Sequence, residues 1–339
     1  MKETIIVAMS GGVDSSVSAY KLLKAGYNVI GVTLSMGRKC DVQAIKDAKL
    51  VAEKIGIEHY GLDVSKEFSN SVLDYFASSY MIGETPSPCV KCNKFIKFKF
   101  IIDFMKEKHA DYIATGHYAK IIDDNGKYKL FKAENKHKDQ SYFLAQLPYE
   151  YLQYIKFPLE LIEDKEETRK IAEKIGLHNA RKTDSQDICF VETNYKDFLK
   201  EYANITEKSG LIKHVNGTIL GRHNGISNYT IGQRRGLGIA YKNPIYVVKF
   251  DLENNIVYVG DDEDLFGSEV YLKDFNQLDD IDENKNYTFK LRSTHIGQDG
   301  KIDLKNMVVK LNEPSRAITR GQLCCIYDGE QVVGSGWIK

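Results

Sequence analysis

Two cysteines stand three apart in TPSPCVKCN (Thr85 to Asn93), and a third follows far downstream in SQDICF: these are Cys89, Cys92 and Cys189. Cys89 and Cys92 could be a metal clip, a redox pair, a nucleophile beside a bystander, or buried filler. In a reducing compartment six cysteines do not make a disulfide framework, so a CxxC there points to metal or redox chemistry. The second reactive stretch is VAMSGGVDSS, an apolar run ending in Ser10-Gly11-Gly12-Val13-Asp14-Ser15-Ser16. Its glycines let backbone approach a ligand closely, its hydroxyls add donors, and the free N–H groups of a following helix favour an anion, so a phosphate is expected. The GxxxxGK[ST] spacing and the GxGxxG pattern are both absent. For a bare SGG the bland reading, a capped strand-to-helix turn, would be preferred; the full string is more specific.

Around these groups the first two hundred residues alternate between strand and helix patterns. TIIVAM and NVIGVTL read as buried strands, and Val42, Ile45, Ala48, Ala52 and Ile55 recur at helical spacing before Gly56. IEHYGLDV and DYIATGHYA add strands, and Phe68 to Tyr80 and Lys94 to Lys108 add helices. Such alternation predicts a parallel sheet covered on both faces. DDNGKYKL predicts a tight hairpin at Asn125-Gly126. From Pro244 onward the pattern is short strands between turns, a small β-barrel. The expected fold is therefore α/β, a doubly wound parallel-sheet nucleotide domain (1–202), a small linking domain (203–243) and a C-terminal β-barrel (244–339).

Composition agrees with a globular chain, 42% hydrophobic and 28% charged over 339 residues. The 47 basic and 47 acidic residues cancel, which excludes nucleic-acid binding by bulk positive field and leaves local patches. The N-terminal stretch has no signal-peptide layout and no apolar run reaches membrane-spanning length, so a cytoplasmic location without a membrane partner is expected.

SGGVDSS after its strand resembles the pyrophosphate loop of the ATP pyrophosphatases. Together with TPSPCVKCNKFIKF, ATGHYAK, KDQSYFL, RKTDSQDICFV and YTIGQRRGLGI, in that order, the chain is similar to the tRNA-specific 2-thiouridylases, and the resemblance covers nearly all of it. It implies ATP-dependent 2-thiolation of a tRNA wobble uridine through an adenylate, with ATP and Mg2+ as cofactors and a sulfur donor protein or sulfide as a further partner. Ala8, Met9, Ser10, Gly11, Gly12, Val13, Asp14, Ser15, Leu34 and Gly116 would hold the nucleotide, with Asp14 near the magnesium. Cys92 matches the nucleophile and Cys189 the persulfide carrier, a pair whose disulfide needs reduction between turnovers. RNA contacts would come from Ser87, Pro88, Cys89, His117, Lys138, Asp139, Gln140, Arg234, Arg235, Arg292, Ser293 and Gln322. His117 is read equally well as a capped loop histidine. Lys91, Lys94 and Lys97 are candidates for stabilising thiolate or phosphate, although for Lys97 and Lys99 a solvated helix face is preferred.

Two departures from the family pattern stand out. The segment SMGRKCDVQ after the second strand is short and leaves Cys40 without a role, and Cys89 stands where many relatives carry aspartate. Cys89, Cys92 and Cys189 could instead hold a [4Fe–4S] cluster with one iron open to sulfide, a use for Cys89 that the relay lacks. Cys324 and Cys325 are expected to pack on opposite faces of a strand. A non-catalytic tRNA-binding adaptor and an ATP-dependent amidotransferase or ammonia-using synthetase are the competing readings, separated by ATP consumption and by whether sulfur or nitrogen enters the product.

Overall fold

A computed structural model describes residues 2–182, 188–191, 194–203 and 208–339. Its first part runs β1 (Thr4–Ala8), α1 (Val13–Lys24), β2 (Asn28–Ser35), α2 (Asp41–Ile55) and β3 (Glu58–Asp63). Then come α3 (Ser65–Phe68), α4 (Asp74–Met81), α5 (Pro88–Cys92), α6 (Phe98–Glu107) and β4 (Tyr112–Ala114). The hairpin β5 (Ala119–Asp124) and β6 (Lys127–Lys132), α7 (Ser141–Leu144), β7 (Ile155–Lys156) and α8 (Lys165–Lys174) complete it. The sheet order is β3-β2-β1-β4-β7, with every neighbouring pair parallel. β1 is central, and Ile5, Ile6 and Val7 are wholly buried, the continuous apolar run a strand covered on both faces requires. At the predicted hairpin Asn125 (φ 54°) and Gly126 (φ 87°) both take the left-handed backbone that a primed turn needs.

α9 (Tyr195–Ala203) precedes a small mixed sheet of β8 (Gly210–His214), β9 (Ile219–His223), β10 (Tyr246–Asp251) and β11 (Ile256–Gly260), ordered β10-β11-β8-β9. This corrects the sequence reading, which put IYVVKF and NIVYVG in the barrel. Val247, Val257 and Val259 close instead over Ile212, the core of the linking unit. Alternation within a strand cannot say which sheet the strand joins.

The barrel proper is β12 (Phe266–Gln277), β13 (Tyr287–Lys290), β14 (Gln298–Asp303), β15 (Val308–Arg316), β16 (Leu323–Asp328) and β17 (Gln331–Ile338). Its order, β12-β15-β14-β13-β16-β17, is closed by pairing of β12 with β17, which removes the free edges. Cys324 faces the barrel core beside Phe289 and Ile326, while Cys325 faces the core shared with the parallel sheet, as adjacent strand residues must. β17 also pairs with β6 (Gln331 opposite Phe131, Val332 opposite Leu130), so the hairpin of the nucleotide domain extends the barrel sheet. Among the described residues no helix is long and apolar enough to cross a membrane.

Candidate active site

The glycine loop forms where β1 ends and α1 begins. Gly11 has φ +71°, and a Cβ there would lie 2.7 Å from the Ala44 carbonyl oxygen of α2, so glycine is required on both counts. Gly12 caps α1 in extended backbone. Gly116, beyond β4, is packed so closely that a Cβ would stand 2.7 Å from the Ser15 nitrogen. Thus the two glycine motifs meet at the N-terminus of α1, whose first N–H groups have no helical partner and favour an anion. Ser15 Oγ accepts from the Ser10 N–H (3.1 Å), and Ser16 Oγ donates to the Gly12 carbonyl (2.8 Å), holding the loop in shape. Ala8, Met9 and Leu34 line the ends of the adjacent strands, with Met9 buried and the other two half-buried.

Three polar residues that sequence reasoning missed brace this loop from the region of α8. Asn179 donates to the Gly11 carbonyl (3.1 Å) and to Ser16 Oγ (3.0 Å). Lys182 bonds Asp47 (2.7 Å) and reaches the Gly11 carbonyl (3.4 Å). Lys165, nearly buried, pairs with Asp14 at 2.5 Å, and Tyr118 donates to the same carboxylate at 2.9 Å. They sit in ordinary-looking polar stretches 135 to 171 residues from their partners, where nothing in the local pattern marks them. Lys165 and Tyr118 each occupy one oxygen of Asp14, which leaves the second lone pair of each oxygen for a cation.

The cysteines lie beside the nucleotide end of the sheet. Cys92, 5% exposed, packs with Met36, Phe68 and Ile96, and Leu34 and Phe190 join the same apolar cluster. Since Phe190 follows Cys189, one cluster ties the nucleotide strand, the nucleophile candidate and the carrier candidate together. Cys189 is exposed and interacts electrostatically with Cys89, Cys92 and Arg38. Burial pushes the Cys92 thiol up to about 12, with Lys97 pulling the other way. Cys89 is exposed by area, yet the surrounding protein raises its thiol too, again opposed by Lys97.

Lys97 therefore corrects the sequence reading. It is half-buried and faces the thiols, whereas Lys99 is the solvated residue, paired with Asp103 at 2.8 Å. The reason is a π-turn over Asn93–Lys97, whose wider winding carries the fifth residue back toward the face of Cys92. Arg38, in the short segment after β2, is a second missed cation. It is clamped to buried Asp41 by two bonds of 2.8 and 2.6 Å, and with Cys189 beside it its guanidinium stays charged although burial opposes that. The TDSQD half of the carrier motif lies outside the described residues. Among the described residues no group of three His, Cys, Asp or Glu is arranged to hold a metal ion.

The expected RNA contacts divide. Arg234, Arg235 and Arg292 are exposed and Ser293 is half-exposed. Ser87 and Pro88 are buried where the cysteine turn begins. Lys138, Asp139 and Gln140 have internal partners. The Lys138 N–H bonds Asn135 (3.1 Å), Asp139 accepts from Ala133 and Ser141 (3.1 and 3.2 Å), and Gln140 accepts from the Tyr118 N–H (3.0 Å). Gln322 donates to the Thr85 carbonyl at 2.9 Å, a bond from the barrel to the cysteine turn. His117 bonds Thr115 (2.8 Å) and is flanked by Phe98, and burial lowers it to about 3.

Known proteins resemble this chain along its whole length. Residues 3–193 match a family described as tRNA methyl transferase HUP domain, 196–261 its PRC-barrel domain, and 267–338 an aminomethyltransferase beta-barrel domain. The tRNA-specific 2-thiouridylase MnmA of Rickettsia massiliae is 48% identical over 99% of this chain and 97% of its own length. Those of Rickettsia canadensis (49%, 98% and 95%) and Rickettsia prowazekii (48%, 99% and 98%) are equally similar.

Proposed function

The chain belongs to the tRNA-specific 2-thiouridylase family, and from that premise we propose that it is a cytoplasmic enzyme that uses ATP to place sulfur at C2 of a tRNA wobble uridine. One observation carries the reading: Leu34, Cys92 and Phe190 share a single apolar cluster, so the nucleotide strand and the two cysteine segments form one site. The glycine loop and the N-terminus of α1 bind the triphosphate of ATP, and Lys165 and Lys182 supply positive charge at its edge. Magnesium carried with the nucleotide would neutralise phosphate charge, with Asp14 the carboxylate on the loop. Uridine O2 attacks the α-phosphorus and pyrophosphate leaves. The terminal sulfur of a Cys189 persulfide, loaded by an external donor, attacks C2, and the C2–O bond breaks to release AMP. The Cys92 thiolate then attacks Sγ of Cys189, which breaks the S–S bond to the substrate and leaves thiouridine and a Cys92–Cys189 disulfide. An external thiol reductant returns both cysteines. Burial disfavours the Cys92 thiolate, and Lys97 is the cation that favours it.

The test is mass spectrometry of tRNA treated with the purified protein, ATP and a persulfide donor. Cys92→Ser and Cys189→Ser are expected to abolish 2-thiouridine while tRNA-dependent pyrophosphate release continues; Asp14→Ala is expected to lose both. Cys89→Ser retains thiolation in a relay. Loss of thiolation in Cys89→Ser, together with iron and labile sulfide in anaerobically purified protein, would replace the relay by a cluster.

A further inference from the structure

Of the two side chains between the cysteines, Val90 and Lys91, the lysine points away from both. On a helix, residues three apart share a face, so Cys89 and Cys92 look the same way and Lys91 is turned roughly 100° from Cys92 and 200° from Cys89. Lys91, which the sequence offered as a thiolate partner, has Asp274, Lys94, Lys273 and Glu84 as its charged neighbours. Its ammonium lies 5.0 Å from the ring centre of Tyr75 on α4, 5.4 Å from Phe95 in the π-turn and 4.9 Å from Trp337 on β17. Tyr75 and Trp337 meet edge to face at 5.9 Å, so the three rings make one cage. Trp337, the only tryptophan of the chain, is 4% exposed.

We propose that Lys91 and Trp337 are positioning residues through which the C-terminal barrel sets the rotation of the Cys89–Cys92 turn. α5 is the first turn of a helix that continues through the π-turn into α6, so it is anchored at its C-terminal side alone and its free N-terminal end is set by what grips it from outside. A cation among ring faces is attracted more strongly as water is withdrawn, and here Trp337 is buried and Lys91 half-buried, while Phe95 forms the open side of the cage. The grip continues on either side. The Thr85 N–H donates to the Arg320 carbonyl (2.8 Å), Lys273 pairs with buried Glu84 (2.9 Å), and a Cβ at Gly321 would lie 2.9 Å from Glu84. Lys94 bonds Gln146 (3.2 Å), whose amide donates to Ser335 Oγ (3.0 Å), two residues before Trp337. The barrel thereby holds the turn at Glu84, Thr85 and Lys91, and at Lys94 through Gln146, so a shift of β17 turns the cysteines.

The functional consequence rests on the thiolation reading; the geometry does not. Lys91→Met, Lys91→Arg and Trp337→Leu are made in the full chain, and two quantities are measured. The first is iodoacetamide labelling of Cys92, mapped by mass spectrometry. It should change about tenfold in Lys91→Met and Trp337→Leu and return in Lys91→Arg, which keeps the cation over the rings. The second compares the two half-reactions: the thiolation rate should fall about tenfold with tRNA-dependent pyrophosphate release within about twofold of the parent. Unchanged labelling and thiolation overturn the proposal, as does an equal loss of both half-reactions, which marks general destabilisation. Should Trp337→Leu not fold, Lys91→Met decides. A parent protein that thiolates no RNA sinks the functional reading alone, because Cys92 labelling still reports whether Lys91 orients the turn.

Discussion

At the scale of single residues, His117 shows how a motif can be legible while its role is not. ATGHY marks a strand end, but the sequence leaves the imidazole between base contact and loop cap. The structure holds it half-buried against Phe98 and Phe157 and bonds it to Thr115 at 2.8 Å. Burial lowers its pKa to about 3, below the unfolded value of about 6.5, so below that value the unfolded chain takes up a proton that the folded chain refuses. The stability from neutral His117 is complete above about pH 6.5 and is lost as pH falls toward 3. Between pH 7 and 5 the loss is on the order of 2 kcal/mol. His117→Asn should remove that part of the acid sensitivity in urea titrations at the two pH values; an unchanged difference would contradict the burial of a neutral ring. Arg38 and Lys97 teach the converse. Nothing in SMGRKC or NKFIKF separates a cation beside a thiol from one in solvent until neighbours are placed.

At the scale of elements, the strand–turn–helix at Ser10 to Ser16 was readable because each component has a local cause: an apolar run, glycines, then helical spacing. What the local pattern cannot contain is the fit of Gly116 against α1. Gly116→Ala puts a methyl carbon 2.7 Å from the Ser15 nitrogen, with backbone on both sides. It should cost about 1–3 kcal/mol and lower pyrophosphate release, as the helix end that binds phosphate is pushed aside. Gly61→Ala, on β3 with nothing within 4 Å of the added carbon, is the control and should be near neutral in chemical denaturation. Equal behaviour of the two variants would refute the close approach. Two elements escaped the sequence for identifiable reasons. β7 is two residues long and carries no period, and the π-turn over Asn93–Lys97 keeps nearly the same apolar pattern as the helix it interrupts.

At the scale of the whole molecule, a chain with no net charge must bind a polyanion through local patches. Arg234 and Arg235 are exposed on the linking unit and Arg292 on the barrel. Reversing the charge of Arg234 and Arg235 should weaken tRNA affinity and reduce the slope of log affinity against log salt by about 1 to 2, because fewer phosphate counterions are released. Filter-binding or fluorescence titrations over a salt series would check it. An unchanged slope would mean that the pair does not touch phosphate. The arrangement also separates tasks: exposed arginines face outward, while Gln322, expected among them, faces inward and holds Thr85.

The sequence by itself determined the class of fold, the glycine loop between β1 and α1 and the tight hairpin, because each depends on neighbours a few residues away or on a motif carried in order along the chain. Tertiary structure decided the rest. It took β10 and β11 from the barrel into the linking sheet, brought Asn179, Lys182 and Lys165 to the loop, and turned Lys91 toward Trp337 and Lys97 toward the thiols. The physical reason is common to all of these. Periodicity fixes which way a side chain faces from its own element, but the partner on that face belongs to another segment, and only packing brings the two together.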